Sequence, residues 1–209
     1  MKTTLIYVHD PMCSWCWGFT GVYEQLLDQL PAEIEVRRLL GGLAPDSDMP
    51  MPESMQAMLQ DTWRRIETMI PGKQFNFDFW RLCSPRRSTY PACRAIIAAR
   101  EQGEQYDPIM TRAIQKAYYQ QARNPSDNET LIELAAEVGL DSERFARQLL
   151  DPQTHQQLLD EISSGRSLGI DSFPSLMLER SGQYLPVLAN YTNVDLILNQ
   201  INTSLDSPR

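Results

Sequence analysis

The sequence predicts one α/β fold over its 209 residues, with a long helical stretch set between its strands. Three observations predict it. The chain opens on a strand, helix and strand. From about Glu53 to Leu168 almost every signal is helical, and a β-hairpin with a closing helix ends the chain. A chain of this length buries a substantial core.

Thr3-Thr4-Leu5-Ile6-Tyr7-Val8 is apolar, β-branched and aromatic, which suits a buried strand. Phe19, Val22, Tyr23, Leu26, Leu27 and Leu30 then recur at helical spacing until Pro31. Ile34–Leu40 reads as a second strand, parallel to the first, and Gly41-Gly42 with Pro45, Pro50 and Pro52 mark the exit from the sheet. Met55, Met58, Leu59, Thr62, Ile66 and Met69 form one helical stripe closed by Pro71-Gly72. Phe75–Trp80 alternates like a strand, but Pro71 and Pro85 bracket it, so it reads as an aromatic loop packed on helices. Ser88-Thr89-Tyr90-Pro91 offers a cap and a first-turn proline for an apolar helix over 92–99. Further helix starts fall at Asp107-Pro108, Asn128, Asp141 and Asp151-Pro152, with Gly139 as a stop. Ser175–Glu179 and Tyr184–Leu188 flank a Ser181-Gly182 turn, and 194–201 is a last helix. The final few residues are expected to fray.

Cys13-Ser14-Trp15-Cys16 sits where the first strand hands over to the first helix. Unpaired N–H groups and the positive end of the helix dipole stabilise a thiolate at such a place. Thiols there, and in C-x-x-C pairs, fall to pKa values of about 3.5–7.5. A thiolate with a second thiol two residues on can attack a disulfide, and the partner then resolves the mixed disulfide. Zinc needs two more soft ligands at usable spacing, and Cys83 and Cys93 stand too far apart in sequence to match it. A structural disulfide is the other bland reading. C-x-x-C beside a β-α pattern favours redox chemistry.

Asp10-Pro11-Met12-Cys13-Ser14-Trp15-Cys16-Trp17-Gly18 resembles the DsbA-like thioredoxin-fold oxidoreductases. Within them it is most similar to the FrnE-like subgroup, with kappa-class glutathione transferases and 2-hydroxychromene-2-carboxylate isomerases as cousins. A second match, Leu168–Leu178, resembles the family's segment with a cis-proline before a strand. The resemblance implies a thioredoxin-like fold split by a large helical insertion: residues 1–48 and 169–209 form the core, and 49–168 the inserted domain. It implies Cys13 as nucleophile and Cys16 as resolving thiol. It also implies a cis bond at Pro174 that exposes the Phe173 backbone to a bound polypeptide, where a trans-proline at a strand start is the plainer reading. Trp15, Phe173 and Pro174 are the substrate-binding candidates, with a shielding packed aromatic the equal alternative for Trp15. Phe173 is bulkier than the small or β-branched residue expected there.

The family's oxidants often carry a buried carboxylate where Tyr7 stands, so proton transfer here falls to water or to His9, the candidate proton partner, for which a strand-end hydrogen bond is the plainer and better reading. Cys93 stands where relatives often place histidine. Cys83 and Cys93 read as ordinary thiols with at least one buried, and three pairings of four cysteines stay open. Arg86 and Arg87 suit an acidic peptide or glutathione, or simply an exposed charged face. The methionines at 49, 51, 55 and 58 suit core or lid packing better than an adaptable binding surface.

A net charge of −8 and a pI near 4.8 argue against nucleic acid or an anionic membrane as the main partner. No apolar run approaches the roughly 20 residues of a spanning helix. The N-terminal stretch reads as a strand rather than a signal peptide, so the expected location is the cytoplasm, where disulfides are transient or catalytic. The expectation is therefore a thiol–disulfide oxidoreductase or isomerase acting on polypeptide or small-thiol disulfides. It uses no metal and no cofactor beyond its own redox-active disulfide, with glutathione as a candidate co-substrate. Two alternatives stand beside it: a glutathione-dependent transferase or isomerase, whose relatives commonly carry serine at the first cysteine, and a chaperone-like peptide-binding module without redox turnover.

Overall fold

The computed structural model describes residues 3–206. The fraying expected at the extreme C-terminus concerns positions outside that range. Strand β1 (Thr3–His9) pairs in parallel with β2 (Ile34–Leu40), Thr3 opposite Ile34. On its other side β1 pairs antiparallel with β3 (Ser175–Arg180), which turns through Ser181-Gly182 into β4 (Gln183–Val187). The sheet order is β2-β1-β3-β4. Both central strands are therefore flanked, and β1 is buried at every position, as its unbroken apolar run requires.

Side chains alternate across this sheet. Leu5, Tyr7, Leu176 and Leu178 face helix α1 (Ser14–Gln29) through Phe19, Val22 and Leu26, and helix α9 (Asp195–Asp206) through Ile197 and Ile201. Ile6, Val8, Leu39 and Met177 face the other way, with Ile170 and Phe173. Seven helices lie between β2 and β3 in the chain: α2 (Glu53–Met69), α3 (Phe79–Leu82), α4 (Tyr90–Arg100), α5 (Tyr106–Gln120), α6 (Asn128–Glu137), α7 (Ser142–Leu149) and α8 (Pro152–Ser167). Asp141 and Asp151 cap α7 and α8 through Arg144 N and Gln153 N, as such residues do ahead of a helix. Gly139, at φ +82°, closes the stretch after α6.

The helical layer has its own core around Trp63, Phe79, Ile96, Met110, Tyr118, Tyr119 and Phe145. The 75–80 segment packs there as expected, with Phe75 stacked on Trp63 at 4.9 Å, and its last residues open the short α3. The methionine stripe behaves differently. Helix α2 buries only Trp63 and Ile66, while Met58 and Met69 stand exposed and only Met51, ahead of the helix, is enclosed. Trp63 offers far more apolar area than a methionine and takes the inward position instead.

Candidate active site

The β1–α1 junction is a tight turn. Cys13 N–H donates to Asp10 O at 3.1 Å, and Met12 N–H to Asp10 Oδ1 at 2.8 Å. Cys13 is the residue just before the helix, in extended conformation, and its carbonyl accepts from Trp17 N–H at 3.1 Å. Cys16 lies inside the first turn and is completely enclosed. Across the site, the Cys13 thiol donates to the carbonyl of Phe173 at 3.4 Å. The Phe173–Pro174 peptide is cis.

The two sulfurs are held apart in acidity. The Cys16 thiol, donating to Cys13, lowers the Cys13 pKa below the usual thiol value, helped by the backbone N–H groups of Cys16 and Trp15. Burial and the charge of Asp10 work against them. Cys16 goes well up, through burial first and then its neighbour Cys13. One thiol is thus poised to ionise while the other keeps its proton. All four cysteines are free thiols in this structure.

Asp10 is a fully buried carboxylate. Its Oδ2 accepts from Leu43 N–H at 2.7 Å, from the Thr89 hydroxyl at 2.6 Å and from the Cys93 thiol at 3.5 Å. It therefore ties the cysteine turn to the loop after β2 and to the start of α4. Burial still pushes its pKa up. Thr89 begins α4 as the sequence signals, but its hydroxyl caps nothing: it serves Asp10 and accepts from Ala44 N–H at 3.1 Å. From α2, Trp63 Nε1–H donates to Ser14 Oγ at 3.0 Å. Trp15 is half-buried, its ring 5.6 Å from the Arg65 guanidinium and 5.2 Å from Tyr191.

A family model described as Thioredoxin matches residues 6–187. The chain belongs to the thioredoxin family. Its arrangement, with the helical layer between β2 and β3, is the DsbA-like one. A Nitrosomonas europaea structure, provisionally described as a protein disulfide isomerase, matches at TM-score 0.86 and 25% identity over 98% of both chains. The cytosolic disulfide reductase DsbM from Pseudomonas aeruginosa matches at TM-score 0.77 and 26% identity, over 97% of this chain and 98% of that one. A second DsbM structure, with GSH, matches at TM-score 0.75 and 23% identity over 98% and 100%. Among curated proteins, the ClpXP adapter protein SpxH of Bacillus subtilis is 22% identical over 168 residues, 80% of this chain; the chain spans 55% of that protein's length.

In this thioredoxin-family chain the segments singled out at both ends, 10–18 and 168–178, meet at Cys13 and Phe173. The Phe173 ring packs over Gly41, where an added Cβ would lie 2.1 Å from it. Its backbone faces Cys13. His9 is fully buried, stacked on Tyr7 at 4.8 Å, and its Nε2 meets Arg38 Nη2 at 3.1 Å. Because arginine only donates, His9 Nε2 accepts and the ring proton sits on Nδ1, which has no partner. Burial and then Arg38 lower its pKa. Cys83 donates to Ala122 O at 3.0 Å and Cys93 to Asp10, so each has a separate role. Arg86 is committed to Ser126 O and to Asp127, at 2.7 Å. Among the described residues no group of three or more His, Cys, Asp or Glu is arranged to hold a metal ion, and no helix is long and apolar enough to cross a membrane. Sequence reasoning missed Trp63 and Tyr191, which carry no motif, and passed over Asp10 although it lies three residues before Cys13.

Proposed function

We propose that the chain is a thiol–disulfide oxidoreductase whose chemistry is carried by Cys13 and Cys16. The observation that carries this reading is the pairing of an acidic Cys13 thiol at the start of α1 with a proton-retaining Cys16 directly behind it. The Cys13 thiolate attacks one sulfur of a substrate disulfide. The substrate S–S bond breaks, a Cys13–substrate disulfide forms, and the first substrate thiolate leaves. Cys16 then gives up its proton and attacks Cys13, the second substrate thiol departs, and a Cys13–Cys16 disulfide remains. The substrate gains two electrons and the pair loses two.

A thiol such as glutathione regenerates the dithiol in this reading, which the GSH-bound structure of the DsbM relative supports. Reduction or isomerisation of polypeptide or small-thiol disulfides in a cytoplasmic setting is the direction we favour, in line with the cytosolic reductase description of that relative. Trp15, Pro174 and the backbone of Phe173 line the approach to Cys13. Residues 1–48 and 169–209 form the redox domain here, and 49–168 its cover.

The test is a redox titration against glutathione, with thiols alkylated and located by mass spectrometry. A cooperative two-electron transition confined to Cys13 and Cys16 supports the reading. A stable glutathione adduct without an intramolecular disulfide overturns it and favours transferase-like chemistry.

A further inference from the structure

Helix α2 lies against the opening turn of α1, and three contacts hold it there. Trp63 Nε1–H donates to Ser14 Oγ at 3.0 Å. The Arg65 guanidinium stands over the Trp15 ring, its carbon 5.6 Å from the ring centre. Ile66 packs at Gly18, where an added Cβ would lie 3.3 Å from it. Trp63 and Ile66 are buried, whereas Arg65 between them is exposed. Trp15 is half-buried, and Tyr191 meets its ring edge-on at 5.2 Å from the other end of the chain. An exposed guanidinium is thus held on a ring that belongs to the cysteine motif itself. Among the described residues no carboxylate and no carbonyl is paired with that guanidinium, while Arg64, one position earlier, is bound to Asp61 at 2.8 Å. Arg86, the cation that the sequence offered for an acidic peptide, is already committed to Ser126 O and Asp127.

A ring face attracts a cation through its quadrupole and takes up none of its N–H donors. Arg65 therefore keeps its planar fork of donors, the shape that grips a carboxylate through two parallel N–H···O bonds. The charge of the whole chain makes such a group useful. At net −8 the protein repels a negatively charged disulfide, and a local cation beside the thiols offsets that repulsion where the substrate must arrive. We propose that Arg65, resting on Trp15, is a specificity-determining residue that binds a carboxylate carried close to the substrate's disulfide, so that acidic peptide disulfides are preferred over neutral ones. Arg65 takes no part in the bond changes, which stay with Cys13 and Cys16. Trp15 is the plate that fixes the guanidinium at the approach to Cys13. The inference rests on the dithiol reading and names the substrate class for it.

The experiment offers the reduced full chain two short peptide disulfides that differ only in glutamate or glutamine beside the cysteine. The second-order rate of Cys13–Cys16 oxidation is read by alkylation and mass spectrometry at low salt. The parent is expected to react about threefold faster with the glutamate peptide, the size that one exposed charge pair supplies. Arg65→Gln equalises the two rates, Arg65→Glu reverses their order, and Arg65→Lys keeps part of the preference, since lysine has the charge without the fork. Arg64→Gln, one position away and paired elsewhere, retains the parent's preference. Raising the salt shrinks the preference, because the pair is exposed. Urea unfolding verifies that each variant is folded. Equal rates for the two peptides in the parent overturn the proposal, as does a preference that survives in Arg65→Gln. Failure of the dithiol reading shows separately: neither peptide then produces a Cys13–Cys16 disulfide, and the proposal falls with it.

Discussion

The Cys13 thiol and the Phe173 carbonyl, 160 positions apart in sequence, meet at 3.4 Å, and the Phe173 ring packs over Gly41, an anchor for that carbonyl that substitution can test. A Cβ on Gly41 would collide with that ring at 2.1–2.2 Å. Gly41→Ala is expected to cost about 1–3 kcal/mol in stability and to slow reaction at Cys13. Phe173→Leu in the same chain, by relieving the clash, recovers part of both losses. Urea unfolding and the Cys13 alkylation rate check the pair; equal losses in the single and double variants would refute the anchoring.

Removing the resolving thiol exposes the order of events. Cys16→Ala is expected to accumulate a mixed disulfide on Cys13 when offered a disulfide substrate, and Cys13→Ala to form none. Intact-mass measurement after acid quenching decides it. Adduct on Cys83 or Cys93 instead of Cys13 would reverse the assignment.

Histidine 9 sets a pH limit on stability. Its folded pKa lies well below 6.5, held down by burial and by Arg38. The unfolded chain therefore binds a proton below about pH 6.5 that the native state refuses, and stability is full above that pH. It falls by about 1.4 kcal/mol per pH unit as the pH drops from there toward the folded value. His9→Phe is expected to flatten this slope between pH 6.5 and 5. Urea midpoints across that window measure it, and an identical slope in the variant would contradict the assignment.

Asp10 carries a charge that the sulfurs feel. With donors from Met12, Leu43, Thr89 and Cys93 converging on it, Asp10→Asn turns an amide N–H toward groups that need an acceptor. The expected loss is about 2–4 kcal/mol. The same change removes the anion that raises the pKa of both active-site thiols, so Cys13 becomes more acidic in the variant. Urea unfolding and the Cys13 alkylation profile report the two effects; a less acidic Cys13 would show that the hydrogen bonds outweigh the charge.

Much of the scaffold is legible in the residues themselves. The apolar run of β1, the helical spacing after Cys16 and the Ser181-Gly182 turn each report a local preference that tertiary packing kept. Asp141 and Asp151 cap their helices as written. The same kind of signal misled at Thr89, whose hydroxyl donates to the buried Asp10 carboxylate and accepts from Ala44 N–H rather than from a helix N–H. On α2, periodicity identified the helix and Ile66 on its inward face, but Trp63 rather than the methionines filled the space against Ser14 and Phe75.

By itself the sequence determined a strand, two cysteines and a helix in an order that makes one thiol acidic, features that depend on neighbours along the chain. The distant proline segment that faces them was implied by the family resemblance. Only the tertiary structure decided that Asp10 gathers donors from two other segments, that Trp63 donates to Ser14, and that the Phe173 ring packs onto Gly41. Hydrophobic periodicity tells which face of an element seeks cover. It does not tell which polar atom that cover brings, because hydrogen bonds across long sequence separations form only where packed elements meet at atomic range.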